Sequence, residues 1–308
     1  MDDILRRATQ HRDVALHLGW HRFNMAGASH STGSQLFMQI LGIDFTSRPR
    51  KAKPITVAHC TLRGNHLQAD TLQTLHSLEV FEALLCAPGP WIAGLDFPFG
   101  QSRRFINTIG WPAPWADYVG VAQSLGREGF RSALDDYRSG RPAGDREHRR
   151  RADILAGAIS PQKLYGVPVG LMFFEGAPRL RDAGVHIPGL QAGDPSRIAV
   201  EAYPGLLARH CVGRRSYKQD TRSKQTLAQL NARRDILQAV RGAPVQALYG
   251  LQVSAPDGYV DDPGADSLDA LLCAVQAAWA WRQSSPGFGA PETIDTTEGW
   301  IFDPALRE

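Results

Sequence analysis

The stretch Met38–Ser47, MQILGIDFTS, reads as a short apolar strand that runs out on an aspartate, Asp44. An apolar run bounded by turn formers is the pattern of a buried central strand. A carboxylate where such a strand ends lies at the carboxyl edge of the sheet, where open α/β sheets gather their ligands. Asp44 taken alone is equally compatible with a residue that caps a turn. Three later segments repeat the arrangement, and they favour the ligand-edge reading.

Outward from this strand, Ile55–Leu62 and His66–Ala69 read as two strands joined by Gly64-Asn65, a strong hairpin signal. Leu78, Phe81, Leu84 and Leu85 then recur at helical spacing over Ser77–Cys86. Trp91–Asp96 (WIAGLD) is a second apolar strand ending in an acid, and Phe97-Pro98-Phe99-Gly100 turns it sharply. Arg197–Tyr203 (RIAVEAY) is a third, carrying Glu201. A helix over Lys224–Val240 follows a basic loop, and a last helix over Ser267–Trp281 opens with Asp266-Ser-Leu-Asp269. Glu298–Phe302 is either a final edge strand or an extended tail.

This order, a strand continued by a hairpin and then helices and further strands, gives a mixed sheet flanked by helices. The fold class is therefore α/β. Residues 101–196, rich in Arg, Gly, Pro and aromatics, read as an insertion after the fourth strand that covers the sheet edge, with short helices over Gly120–Gly129 and Ser132–Arg138. Residues 1–37 read as an N-terminal extension or the product of a mis-assigned start, since the small polar linker Gly27–Gly33 separates them from the first strand. The domain itself then occupies 38–308.

Composition sets the outer bounds. The 308 residues are 43% hydrophobic and 21% charged, with 34 Lys and Arg against 31 Asp and Glu, the profile of a soluble globular chain. A net charge of +3 permits an anionic partner without demanding one. Cys60, Cys86, Cys211 and Cys273 form no C-x-x-C pair, which argues against a zinc site or a disulfide framework and suits a reducing cytoplasm. Cys86 and Cys273 fall in apolar helical patterns and are expected in the core. No apolar run reaches the roughly 18 residues that a membrane span needs.

Clustered carboxylates repel one another unless a cation neutralises them, and hard oxygen ligands suit Mg²⁺ or Mn²⁺. Each acid also has a plainer reading. Asp96 can begin a turn, and Glu201, between Val200 and Ala202, can face solvent. Asp266 has the look of an N-cap. Asp269, one turn into an apolar helix, is the hardest to explain structurally, because an uncompensated acid there is costly.

The set Gly42-Ile43-Asp44, Leu95-Asp96-Phe97-Pro98-Phe99-Gly100, Glu201-Ala202-Tyr203-Pro204 and Asp266-Ser-Leu-Asp269-Ala270, followed by Glu298-Gly299, resembles the family catalogued as domain of unknown function 429, a group of predicted ribonuclease H-like nucleases. The resemblance runs from about Met38 to Pro304, and the last motif is also similar to the closing helix of Holliday-junction resolvases. It implies a ribonuclease H-like fold and metal-dependent phosphodiester hydrolysis at a two-ion Mg²⁺ or Mn²⁺ site. Position by position it puts Asp44, Asp96 and Asp269 among the metal-binding and catalytic acids, with Asp266 one turn before the last. Glu201 belongs to the family's own E-x-Y-P motif and is either a ligand or a support for the ligands.

Arg103, Arg104, Arg214 and Lys218 lie in or beside loops that follow the acidic strands, and are the candidates to hold a nucleic-acid backbone. A solvated basic surface explains them nearly as well. Trp111, Trp115 and Tyr118 either stack unpaired bases or cover the sheet. Two rivals to the nuclease stand: a nucleic-acid- or protein-binding module without activity, and an actin-like phosphotransferase. The second lacks the glycine expected soon after Asp44, and no Gly-rich adenosine motif follows.

Overall fold

The computed structural model describes residues 37–307. The expected N-terminal extension lies outside these residues, apart from Phe37, which begins the first strand. The strands are β1 (Phe37–Asp44), β2 (Ile55–Arg63), β3 (His66–Leu75), β4 (Trp91–Leu95), β5 (Val185–His186), β6 (Asp194–Glu201) and β7 (Gln252–Ser254). They form one sheet in the order β5-β6-β4-β1-β2-β3-β7. β2 runs antiparallel to β1 and β3, while β1, β4, β6 and β5 are mutually parallel. The hairpin falls where Gly64-Asn65 requires it, with Gly64 at a φ of 60° that only glycine adopts freely.

Helices cover both faces. On one lie α1 (Leu78–Leu85), α2 (Arg103–Ile109), α3 (Trp115–Ser124), α4 (Gly126–Ser139) and α6 (Val169–Ala183). On the other lie α5 (Arg151–Ala156), α7 (Pro204–Val212), α8 (Leu227–Arg241), α9 (Ala243–Tyr249) and α10 (Asp266–Arg282). Segment 101–196 reaches the sheet edge through the short strand β5 alone. Most of it is the helical layer over one face, packed on Leu41, Ile43, Trp91 and Leu95, and α5 crosses to the other. Its helices also start earlier than expected, and the second runs longer, because the apolar residues Trp115, Tyr118, Phe130 and Leu134 all turn into this core.

The aromatics of that layer are core residues. Trp115 is 2% exposed and donates its indole N–H to the Phe99 carbonyl at 2.7 Å. Tyr118 is fully buried, its hydroxyl on the Thr297 carbonyl at 2.7 Å. Trp111 packs against Phe105 and Phe130. Trp115 and Tyr118 present no free face for stacking a base, whereas Trp111 is half-buried. Cys273 is buried as expected, whereas Cys86 is exposed because it ends α1 as the C-cap.

The helix that matters most for the site is α10. Rather than having one apolar face, it is buried all round from Leu268 to Ala280. It lies directly on β1 and β4, at a distance only glycine permits. A Cβ on Gly42 would come within 1.9 Å of the Ala270 carbonyl oxygen, and one on Gly94 within 2.4 Å of that of Cys273. Among the described residues, no helix is long and apolar enough to cross a membrane.

Candidate active site

Strand alternation decides which acids meet. Ile40 and Gly42 on β1, and Ile92 and Gly94 on β4, point to the α10 face, so Asp44 and Asp96, two residues further on, point there too. The two strands are parallel and in register at Ile43 and Leu95, and the Asp96 N–H donates to the Ile43 carbonyl at 2.9 Å. Asp44 and Asp96 thus emerge side by side at the carboxyl edge of the sheet. The contact of Ala270 with Gly42 brings the first turn of α10, with Asp266 and Asp269, over the same edge.

The four aspartates sense one another. Asp44 is held well above the usual carboxylate range by burial first, and then by Asp269, Asp266 and Asp96, with Lys218 working the other way. Asp96 is pushed up to about 7 by burial, with Lys218 lowering it and Asp269 and Glu201 raising it. Neither carboxylate accepts a hydrogen bond from a side chain or backbone group among the described residues. Asp269 differs: it is 1% exposed, and each oxygen has a donor, the Tyr217 hydroxyl at 2.8 Å and the Lys218 ammonium at 2.7 Å. Asp266 is not an N-cap. It is the first helical residue, its N–H accepted by Asp262 at 2.7 Å, and its carboxylate takes the Lys53 ammonium at 2.6 Å.

The loop that delivers Tyr217 and Lys218 is pinned from below. Arg233 on α8, 4% exposed, donates to the carbonyls of Tyr217 and Val260, at 2.9 and 2.8 Å. The Gln219 N–H reaches the Pro263 carbonyl at 3.0 Å. Lys218, expected to bind substrate, thus has its ammonium among the acids while its side chain stays half exposed. Tyr217 was invisible as a site residue in the sequence, since a tyrosine in a basic loop carries no signal of its own.

Glu201 is placed on the opposite side. It shares the parity of Ala199, which packs on the α2–α4 face, whereas Ile198 and Val200 pack under α10. Both its oxygens are taken by the buried Arg150 guanidinium, at 2.5 and 2.7 Å, and one also by the Phe99 N–H at 2.8 Å. Arg150 in turn pairs with Asp153 at 2.7 Å. Glu201, expected among the catalytic acids, thus faces away from the aspartates and bonds the turn that follows Asp96.

The other basic candidates scatter. Arg103 is held by Asp295 through two bonds of 2.6 and 2.5 Å, and Arg104 pairs with Asp145 at 2.5 Å. Arg214 is exposed and has no side-chain partner among the described residues. It lines a cleft beside Tyr217.

Whether these residues suit a divalent cation can be judged from the donors. Two uncapped carboxylates with raised affinity for a proton are an oxygen-only set that gains from a hard cation. Lys218 and Lys53 supply the local positive charge. Among the described residues, no three His, Cys, Asp or Glu side chains already stand together as a ligand set for a metal ion. The chemistry of the donors fits Mg²⁺ or Mn²⁺ through Asp44 and Asp96, with Asp269 turned toward them from α10.

A mixed seven-stranded sheet between two helical layers, with an acidic cluster at its carboxyl edge, defines an α/β protein. The chain belongs to the protein family of unknown function DUF429, whose model matches residues 42–293. No curated protein and no solved structure matches it.

Proposed function

We propose that the chain has a ribonuclease H-like fold and is a metal-dependent nuclease, hydrolysing phosphodiester bonds of a nucleic acid at the Asp44–Asp96–Asp269 cluster. The observation that carries this reading is the pair Asp44 and Asp96: adjacent, without a donor, and both raised in proton affinity. The strand order, with an antiparallel hairpin beside β1 and β4 parallel on its other side, supports the fold assignment. Mg²⁺ or Mn²⁺ held by Asp44, Asp96 and Asp269, with Asp266 at the margin, would supply a Lewis acid and lower the pKa of an attacking water.

The chain's own groups do the rest. Tyr217 fixes the Asp269 carboxylate through one oxygen and leaves lone pairs free on both. Lys218 neutralises the cluster in the absence of a cation and is free to turn its ammonium to a phosphate when one is present. Lys53 holds Asp266 in the same way. Glu201 and Arg150 keep the turn after Asp96 rigid, so that the carboxylate does not relax away from its neighbour.

One observation favours a second reading. Because Lys218 and Lys53 already compensate the acids, the scaffold can persist as a binding module without hydrolysis. Calorimetric titration with Mn²⁺ separates the two. The nuclease reading expects micromolar binding that is lost in Asp44→Asn and in Asp96→Asn, together with Mn²⁺-dependent cleavage across a panel of single- and double-stranded substrates. Parent protein that binds no Mn²⁺, with or without oligonucleotide, would leave the binding module as the reading.

A further inference from the structure

We propose that the cleft between α5 and the loop after α7 receives an unpaired nucleotide of a single-stranded nucleic acid, whose backbone continues to the aspartate cluster. The cleft holds about 600 Å³, within the usual size of a small-molecule pocket, and Ile154, Leu155, Arg209, Arg214, Arg215 and Tyr217 line it.

Its two kinds of wall match the two parts of a nucleotide. Ile154 and Leu155 are 57% and 46% exposed, although the same short helix buries Ala152 and Ala156 in the core. Two adjacent large aliphatic side chains turned to solvent in a concave wall offer an apolar surface to the face of a base. The three arginines offer positive charge, and no acid lines the cleft. Arg209 is held in place, stacked over Tyr203 and bonded to the Ala156 carbonyl. Arg215 shares an exposed ion pair with Asp235, and Arg214 has no partner among the described residues. That combination suits an anion with a flat apolar body, and it does not suit an acidic peptide or a bare phosphate.

The inner wall gives the direction. Tyr217 lines the cleft and donates its hydroxyl to Asp269. A nucleotide seated here is therefore one side chain from the acids, and its neighbour along the strand falls at the cluster. Bases in a duplex are stacked and paired, so their faces cannot reach Ile154 and Leu155. Only an unpaired one can. The direction toward the acids rests on the nuclease reading, whereas the binding does not.

The test is fluorescence anisotropy with short labelled oligonucleotides and the full chain, in EDTA so that no cleavage intervenes. Single strands, DNA and RNA tested separately, are expected to bind at least about tenfold more tightly than the matching duplex, as base stacking on side chains allows. Ile154→Ser with Leu155→Ser is expected to erase that preference, and Arg214→Glu to weaken single-strand binding about tenfold. All three positions are exposed, and thermal unfolding would verify that each variant is folded. Equal affinity for duplex and single strand, or folded variants that bind like the parent, overturns the proposal. Single-strand preference without Mn²⁺-dependent cleavage upholds the cleft and removes the nuclease reading. Cleavage without single-strand preference does the reverse.

Discussion

Gly42 on β1 lies against Ala270 on α10 so closely that a Cβ at position 42 would sit 1.9 Å from the Ala270 carbonyl oxygen and 2.4 Å from the Ala274 nitrogen. The obstruction is helix backbone, which cannot swing aside like a side chain. Gly42→Ala is expected to cost about 3 kcal/mol or more, at the upper end of overpacking effects. Urea denaturation would measure it. A loss of well under about 1 kcal/mol would show that α10 can lift from the sheet without consequence.

The pH dependence of stability carries the mark of Asp96. Its folded-state pKa of about 7 exceeds the ordinary 3.8, so between these values the folded protein holds a proton that the unfolded chain has released. This contribution is complete at low pH, falls as pH rises through 7, and levels above it, spanning on the order of 2–4 kcal/mol. Asp96→Asn should remove it. In EDTA, the stability of the variant relative to the parent is expected to rise between about pH 4.5 and about pH 8. A difference that is flat with pH would contradict the assignment.

Lys218 is the counter-charge, and its removal should show where charge is needed. At low pH Asp96 holds its proton and needs little compensation. As pH rises through about 7 it ionises, with Lys218 the cation that lowers its pKa. Lys218→Met is therefore expected to cost more stability at pH 8 than at pH 5, with the gap on the order of 1 kcal/mol. Paired denaturation curves at the two pH values check this. The opposite order would mean that Lys218 acts through packing alone.

Arg150 tests the role assigned to Glu201. Removing the guanidinium leaves Glu201 and Asp153 buried without their cation, which typically costs about 3–5 kcal/mol. Arg150→Met is expected to lose stability of that size by chemical denaturation. Glu201→Gln, which still accepts from Phe99 and Arg150, should lose less and keep Mn²⁺ affinity close to that of the parent. Metal binding abolished in folded Glu201→Gln would return Glu201 to the ligands.

Much of this was readable from local signals. The run Met38–Asp44, the Gly64-Asn65 turn and the repeat of apolar strands ending in acids give the sheet centre and two of the clustered aspartates, and the Asp266-Ser-Leu-Asp269 opening of the last helix gives the other two. The rest depends on contacts between distant residues that local pattern does not carry. Lys53 meets Asp266 across 213 positions, and Tyr217 and Lys218 meet Asp269 from a loop with no regular structure. The side of the sheet on which Glu201 lies follows from one residue of alternation, a matter of register between strands rather than of sequence composition. The burial of α10 on all sides was hidden for a similar reason: Ala270, Ala274 and Ala277 read as a weak face until the glycines beneath them are seen.

The segment Glu298–Phe302 has a bearing on how the chain is made. Ile301 pairs with Glu201, the Phe302 N–H donates to the Glu201 carbonyl, and the Glu298 carboxylate receives the N–H groups that open α2 and α5. The face of β1 and β4 that bears Gly42 and Gly94 is likewise closed by α10. A nascent chain that has emerged as far as residue 260 has all seven strands of its sheet but neither the cover over their centre nor the clasp on the edge of β6. Native pairing of such sequence-distant parts is slow relative to local structure. The acidic edge therefore assembles only once α10 is available, and until then the apolar face of β1 and β4 beneath it stays uncovered.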